Sequence, residues 1–143
     1  MLVAKISGRN KVFLTIAVLS LFLGLLNYIL FEPSVAVGEI FHLRFNEIVI
    51  HQTLLRSFLT GHISDMAWAT SLYLCVVVLS EEIRLQFIDR IALLLLPFLT
   101  ETLQGFHLIY GTFDWYDMIS YIVVLSIFLS FFPQLIFKKN EKV

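Results

Sequence analysis

Two long runs without a charged side chain constrain this chain more than any other feature. They are VFLTIAVLSLFLGLLNYILF (12–31) and MISYIVVLSIFLSFFPQLIF (118–137). Because an α-helix rises about 1.5 Å per residue, each run is long enough to cross a hydrocarbon core of about 30 Å. Two shorter apolar runs, 64–80 and 91–107, lie between them. The sequence therefore predicts an all-α membrane protein with four transmembrane helices.

The composition of the chain supports the same class of protein. Of the 143 residues, 59% are hydrophobic and only 15% are charged. A soluble domain of this size would need more polar surface to cover its core. The net charge of −1 gives no reason to expect nucleic-acid binding. We therefore expect a single membrane domain over residues 1–143, surrounded by membrane lipids.

The basic residues predict how the four spans are oriented. Four spans place the N-terminus, the charged loop 81–90 and the C-terminus on one side of the membrane. Eight of the ten Lys and Arg residues fall on that side: Lys5, Arg9, Lys11, Arg84, Arg90, Lys138, Lys139 and Lys142. Because short cytoplasmic loops are enriched in basic residues, both termini are predicted to be cytoplasmic.

The longest polar connection, residues 32–62, then lies on the outer side. Its segment NEIVIHQTLLRSFL (46–59) has a helical pattern with one apolar and one polar side. It is too polar to span, so it is predicted to lie along the membrane surface with its apolar side down.

A signal peptide is the alternative for the first span, since Ser34-Val35-Ala36 loosely fits a small-x-small cleavage site. The apolar run of the first span is longer than the roughly 7–15 residues of a signal peptide's apolar region. We therefore predict an uncleaved span.

Span 3 carries a carboxylate where an apolar environment is expected. Glu101 and Gln104 lie three residues apart, and Pro97 lies four residues before Glu101, so the three share one stripe of a helix. Counting from Arg90, Glu101 lies about 16 Å up the helix, near the membrane midplane. A carboxylate at that depth costs on the order of 2.5–3.5 kcal/mol, so it should face protein or water. Glu101 is therefore the residue most strongly predicted to be functional.

Further polar and aromatic residues stand at the outer ends of spans 2 and 4. They are Asp65, Trp68, Asp114, Asp117 and Tyr121. Because each lies on the outer half of its span or just outside it, we expect them to line one outward-opening acidic pocket together with Glu101 and Gln104. In this pocket Glu101 and Gln104 are the candidate catalytic pair, and the other five are candidate ligand-binding residues.

Several of these residues also have a structural alternative. Gln104 is typical of side chains that join helices in a bilayer, Asp65 of a helix N-cap, and Asp114 of a turn. Aromatic residues near the ends of spans are more often an interfacial belt than a platform for stacking. The aromatic residues concerned are Trp68, Tyr110, Trp115, Tyr116 and Tyr121.

A metal site is the alternative for the acids and histidines. His62 and Asp65, spaced i and i+3, would combine with His107, Asp114 or Asp117. No tight ligand motif is present, so the sequence predicts neither a metal nor another cofactor.

The motifs around Glu101 resemble those of the VanZ-like membrane proteins. These proteins typically show an E-x-x-Q element, a Gly-Arg with a later Asp, and an Asp that opens the last span. Here Glu101-Thr102-Leu103-Gln104 is followed by Asp114 and Asp117, and Ser64-Asp65-Met66-Ala67-Trp68 also fits. The resemblance covers about residues 55–130. It implies the four-span fold, a role in the cell envelope and a bacterial inner (plasma) membrane location.

Two positions depart from the pattern of that family. Gly111 is followed by Thr112 where Arg is usual, and Ser120-Tyr121 and Val123-Val124 stand where Asn and Gly are usual. The missing arginine would have been the counter-ion of Glu101 and the group that binds an anion. The resemblance therefore implies the fold more strongly than a phosphate-handling role.

The first predicted function is that of a VanZ-like protein that binds or modifies an amphipathic envelope ligand, such as a lipid or glycolipid headgroup. Glu101 and Gln104 would orient this ligand or act as general acid and base. Whether the protein is an enzyme stays open at this point.

The second predicted function is that of a non-enzymatic accessory subunit that packs against partner membrane proteins. Its contacts would come from the stripe Ser20, Gly24 and Asn27 and from segment 46–59. A weaker alternative is proton or ion transfer through Glu101.

Overall fold

The computed structural model describes residues 6–31, 61–83, 85–109 and 111–137. In these ranges the chain forms helices joined by turns and coil, and no strand. The helices are α1 (Gly8–Phe31), α2 (Ile63–Glu82), α3 (Phe87–Gly105), α4 (Trp115–Phe131) and the four-residue α5 (Gln134–Phe137). The prediction of an all-α fold is thus confirmed for this part of the chain. The segment 46–59 and the possible cleavage site at 34–36 lie outside it.

The last predicted span, 118–137, is not one continuous helix. α4 begins earlier, at Trp115, and ends at Phe131, where Phe132 leaves the helical conformation with φ −129° and ψ 56°. The cause is Pro133, which lacks a backbone N–H and disfavours helical geometry in the residue before it. α5 resumes after this break.

The predicted charged loop 81–90 is also shorter than expected. Glu81 and Glu82 belong to the last turn of α2, and α3 already begins at Phe87. α3 ends at Gly105, whereas the predicted third span continues to residue 107. Glu81 and Asp89 are exposed, so solvent can hydrate their charges although both lie in terminal turns of helices, whereas Arg90 is buried.

Within the described ranges, two helices are long and apolar enough to cross a membrane: residues 8–27 of α1, and α2. α4 is apolar but shorter, and α3 carries Asp89, Arg90 and Glu101. Two such helices are weak evidence for a membrane location, because a soluble core helix or a signal sequence can have the same composition.

α1 and α2 pack in antiparallel orientation. At one end of the pair, Arg9 Nη2 contacts Glu81 Oε1 at 2.6 Å and Asn10 Nδ2 donates to Glu82 Oε1 at 2.7 Å. These contacts join the beginning of α1 to the end of α2. The opposite ends, from Gly24 and from Ser64 onward, therefore also lie together.

At that opposite end the two backbones approach closely because α1 has a glycine there. A Cβ atom at Gly24 would lie 3.2 Å from the carbonyl oxygen of Ser64 and 3.3 Å from Cβ of Ala67. Ser64 Oγ donates to the carbonyl of Gly24 at 3.2 Å, and Asn27 Nδ2 donates to Ser64 Oγ at 2.9 Å. Gly24 and Asn27, two of the residues predicted to contact a partner protein, thus contact α2 of the same chain.

An apolar core joins the helices below this contact. α2 contributes Tyr73, Val76 and Val77, which are almost completely buried. The other helices contribute Ala17, Leu94, Tyr121, Val124, Phe128 and Leu135. Together with the contacts of α1, this packing makes α2 the central helix. The helices alternate in direction, so α1 and α3 end where α2 and α4 begin.

Candidate functional site

A cavity of about 660 Å³ lies at the end of the bundle where α2 and α4 begin. All seven residues predicted for the site line it: Asp65, Trp68, Glu101, Gln104, Asp114, Asp117 and Tyr121. The cavity is formed by four helices and by the segment between α3 and α4. The structure therefore brings together residues that are far apart in the sequence, such as Asp65 and Tyr121, which are 56 positions apart.

Glu101 is a buried carboxylate in the last two turns of α3. Only 4% of its surface is exposed, and its Oε1 accepts a hydrogen bond of 2.6 Å from the backbone N–H of Asp114. A carboxylate that accepts from a backbone N–H forms one of the stronger hydrogen bonds found in proteins. This bond links the N-cap of α4 to α3. It also holds the Glu101 carboxylate in position at the cavity.

Asp114 is the N-cap of α4. Its Oδ1 accepts a hydrogen bond of 2.8 Å from the backbone N–H of Tyr116, one of the donors that the first helical turn leaves without an intrahelical partner. Asp114 is therefore more than the turn residue of the structural alternative, because it caps α4 and also lines the cavity.

Gln104 packs against the backbone of the segment between α3 and α4. A Cβ atom at Gly111 would lie 2.5 Å from Gln104 Nε2, and Gly111 has a φ of +135°. Only glycine adopts this conformation readily and also leaves room for the amide. The next residue, Thr112, lines the cavity at the position where the VanZ-like pattern has arginine.

Asp117 pairs with His62, which immediately precedes α2. His62 Nδ1 and Asp117 Oδ1 are 2.7 Å apart, and 15% of each side chain is exposed. The ring of Tyr116 packs beside the imidazole at a centroid distance of 5.6 Å. This contact joins the beginning of α2 to the first turn of α4.

Asp65 lies inside the first turn of α2, where the hydroxyl of Tyr121 donates to its Oδ1 at 3.3 Å. The alternative of Asp65 as a helix N-cap is wrong. α2 begins at Ile63 with His62 in the N-cap position, and the side chain of His62 makes no capping bond. The Asp65 side chain instead faces a buried tyrosine, of which 3% is exposed.

The aromatic residues divide between the cavity and the surface. Trp68 and Tyr121 line the cavity, whereas Trp115 and Tyr116 are about two-thirds exposed, with relative exposures of 69% and 66%. Trp68 and Tyr121 therefore have the position expected of site residues, and Trp115 and Tyr116 have the exposure expected of an interfacial belt. Tyr110 lies outside the described residues.

The side chains around the cavity have an acidic excess. Asp65, Glu101, Asp114 and Asp117 line it, and no Lys or Arg does so among the residues that the structure describes. Four carboxylates with no basic counterpart in this lining repel an anion and favour hydrogen-bond donors or cations.

His62 is the site residue to which sequence reasoning gave too little weight. It appeared only in the metal alternative, paired with Asp65 three residues later, whereas the structure pairs it with Asp117. One ligand atom from each of His62, Asp114 and Asp117 lies within 4.8 Å of the other two. His107, the other histidine of that alternative, is exposed in the turn after α3 and is not part of this group.

Comparison of the chain with protein-family models, characterised proteins and solved structures gives no match. The resemblance to VanZ-like proteins therefore remains a prediction from the motifs quoted above. The geometry of the cavity has to carry the functional argument.

Proposed function

We propose that this chain is a four-span, VanZ-like membrane protein that binds the hydroxyl-rich headgroup of an amphipathic envelope ligand, such as a glycolipid. The observation that carries the proposal is the composition of the cavity. Four carboxylates, Gln104 and Trp68 line it, and no Lys or Arg among the described residues does so.

The surface of α1 supports a membrane environment. Val18, Phe22 and Leu23 are more than half exposed, with relative exposures of 66%, 54% and 60%. Exposing apolar surface to water costs about 25 cal/mol per Å², so lipid is the more favourable surrounding for this face. A contiguous apolar surface of this kind is typical of a membrane or protein contact.

The lengths and directions of the helices are compatible with four spans. The longest, α1, has 24 residues and the shortest of the four, α4, has 17. At about 1.5 Å per residue these correspond to roughly 36 Å and 26 Å, close to a hydrocarbon core of about 30 Å. With the basic residues on the cytoplasmic side, both termini would lie in the cytoplasm of a bacterial cell and the cavity would open outward.

The chemistry of the cavity favours a neutral polyol over a phosphate. Carboxylates accept hydrogen bonds from hydroxyl groups, and such charge-assisted bonds are about twice as strong as neutral ones. A phosphate in the cavity would lie beside four carboxylates, which repel it, and would lack the arginine that the VanZ-like pattern provides. Leu21, Leu25 and Ile109, which also line the cavity, offer apolar surface to the lipid part of an amphiphile.

The two other functions have less support in the described residues. The accessory-subunit hypothesis assigned the partner contacts to two regions, one of which is the stripe on α1. Two residues of this stripe, Gly24 and Asn27, pack against α2 within the chain. Proton transfer would need a continuous polar path beyond the cavity, where the packed cluster is hydrophobic and the buried polar residues described are Asn10, Ser71 and Arg90. The Tyr73 hydroxyl within this core has no hydrogen-bond partner in the part of the chain that the structure describes.

The proposal is tested by the fluorescence of Trp68. The chain contains two tryptophans, so Trp115→Phe leaves Trp68 as the reporter in the cavity. The protein is placed in nanodiscs of zwitterionic lipid and titrated with a neutral diglycosyl diacylglycerol or with anionic phosphatidylglycerol. We expect a saturable change with the glycolipid and none with phosphatidylglycerol.

Two carboxylate substitutions sharpen this test. Charge-assisted hydrogen bonds contribute about 1 kcal/mol more than neutral ones, so Asp65→Asn and Glu101→Gln should each weaken glycolipid binding about fivefold. Asp89→Asn, an exposed carboxylate in the first turn of α3, is the matched control and should bind like the parent protein. Equal responses to the two lipids, or unchanged affinity in both cavity variants, would exclude the proposed function.

A further inference from the structure

We infer that His62, Asp114 and Asp117 form a binding site for a divalent transition-metal ion, of which Zn²⁺ matches the donor set best. The inference does not depend on the ligand proposed for the cavity, because the site is defined by three side chains at its edge and is tested with the metal alone.

The first support is that the packing of α2 against α4 brings the three residues together. His62 is the residue before α2, Asp114 is the N-cap of α4, and Asp117 lies in the first turn of α4. The i and i+3 spacing places Asp114 and Asp117 on one side of α4. The contact between His62 and Asp117 then brings the imidazole to the same side.

The second support is the distance between the ligand atoms. One donor atom from each residue lies within 4.8 Å of the other two, and His62 Nδ1 and Asp117 Oδ1 are 2.7 Å apart. Ligands at about 2.0–2.2 Å from a tetrahedral Zn²⁺ lie about 3.4 Å from one another, so binding requires side-chain shifts of about 1 Å. Rotation of side chains alone is sufficient for shifts of this size.

The third support is charge. Asp65 and Glu101 line the same cavity as Asp114 and Asp117, so four carboxylates lie at this end of the bundle. His62 is paired with one of them, and no Lys or Arg from the described ranges lines the cavity. Carboxyl groups gathered in this way attract a divalent cation.

The donor set decides the class of metal. One imidazole nitrogen with two carboxylate oxygens suits Zn²⁺ or Mn²⁺, whereas Mg²⁺ and Ca²⁺ prefer oxygen ligands alone and Cu⁺ prefers sulfur. With three protein ligands, a tetrahedral Zn²⁺ keeps a fourth position for water or for another ligand.

The experiment is a titration with Zn²⁺ itself. Protein purified in detergent and freed of metal with a chelator is titrated with Zn²⁺, and separately with Mn²⁺, by isothermal titration calorimetry. We expect saturable binding of Zn²⁺ at one ion per chain. His62→Ala, Asp117→Asn and Asp114→Asn should each lower the affinity at least tenfold.

Asp114→Asn keeps the test informative if another variant fails to fold. Asparagine caps a helix as well as aspartate does, so this variant keeps the bond to Tyr116 N–H and loses only the charged ligand. The matched controls are His107→Asn and Asp89→Asn, an exposed histidine and an exposed aspartate outside the group. Asparagine also tolerates the φ of 56° at residue 107. Both controls should bind Zn²⁺ like the wild type.

X-ray absorption at the zinc edge then identifies the ligands. The wild type should show nitrogen and oxygen ligands, including an imidazole whose scattering is lost in His62→Ala. Failure to bind one Zn²⁺ per chain, or binding that Asp114→Asn and Asp117→Asn leave unchanged, would overturn the inference. The group would then be a hydrogen-bonded His–Asp pair that joins α2 to α4. Glycolipid binding is measured separately, by the fluorescence of Trp68 in protein freed of metal.

Discussion

The close approach of α1 and α2 at Gly24 allows the change in the free energy of unfolding on substitution to be predicted. A Cβ atom there would lie 3.2 Å from the Ser64 carbonyl oxygen, which is backbone, and 3.3 Å from Ala67 Cβ. Optimal contacts between carbon atoms are about 3.5–4.0 Å, so even an alanine would press α1 away from α2. A leucine would need much more room and would force the two helices apart.

The expected cost of Gly24→Leu follows from three contributions. Overpacking costs about 1–3 kcal/mol. The hydrogen bonds from Ser64 to Gly24 and from Asn27 to Ser64 would be lost, at about 0.6 kcal/mol each in a membrane protein. Replacing glycine in a helix returns about 0.8 kcal/mol. The sum predicts a destabilisation of about 1.5–3.5 kcal/mol.

The assay is reversible unfolding in mixed micelles, in which the proportion of sodium dodecyl sulfate is raised and helix content is followed by circular dichroism. Gly8→Leu is the matched control, because a Cβ atom at Gly8 has no heavy atom within 4 Å. We expect Gly8→Leu to be within about 0.5 kcal/mol of the wild type, as is usual for surface substitutions. A Gly24→Leu variant as stable as the control would refute the close packing of α1 on α2.

Two further predictions concern the pairing of the helices and their orientation. A double-mutant cycle of Asn27→Ala and Ser64→Ala, measured in the same micelle assay, should give a coupling energy of about 0.6 kcal/mol and at most about 1.7 kcal/mol. A coupling energy of zero would contradict the hydrogen bond between the two residues. In a Cys75→Ser background, a cysteine at Thr112 should react with an impermeant thiol reagent in intact cells, because the cavity end is proposed to face outward. A cysteine at Glu82 should react only after lysis, and the reverse pattern would invert the proposed topology.

The helices and the location of the site could be predicted from the sequence because both depend on local patterns. Uncharged runs define α1 and α4, and the rarity of carboxylates in apolar helices singled out Glu101. Pro133 is also visible in the sequence, and its effect on α4 should have been predicted. The errors at the ends of α2 and α3 arose because charged residues are compatible with terminal turns of a helix.

The partners within the site could not be predicted in the same way. The bond between Glu101 and the backbone N–H of Asp114, and the pairing of His62 with Asp117, depend on how α2, α3 and α4 pack together. Spacing relates His62 only to nearby residues such as Asp65, and nothing in a single sequence distinguishes a partner 55 residues away. Likewise, the pattern around Gly24 predicted close helix packing but did not identify α2 as the partner.

The central claim is that the acidic cavity binds a neutral, hydroxyl-rich headgroup, and native mass spectrometry tests it most directly. The protein is released from nanodiscs that contain equal amounts of a neutral diglycosyl diacylglycerol and phosphatidylglycerol. We predict that the wild type retains one glycolipid, and that a variant combining Asp65→Asn with Glu101→Gln retains it at least about fivefold less, the effect expected of either substitution alone. Preferential retention of phosphatidylglycerol, or equal retention of the glycolipid by this variant and the wild type, would contradict the account.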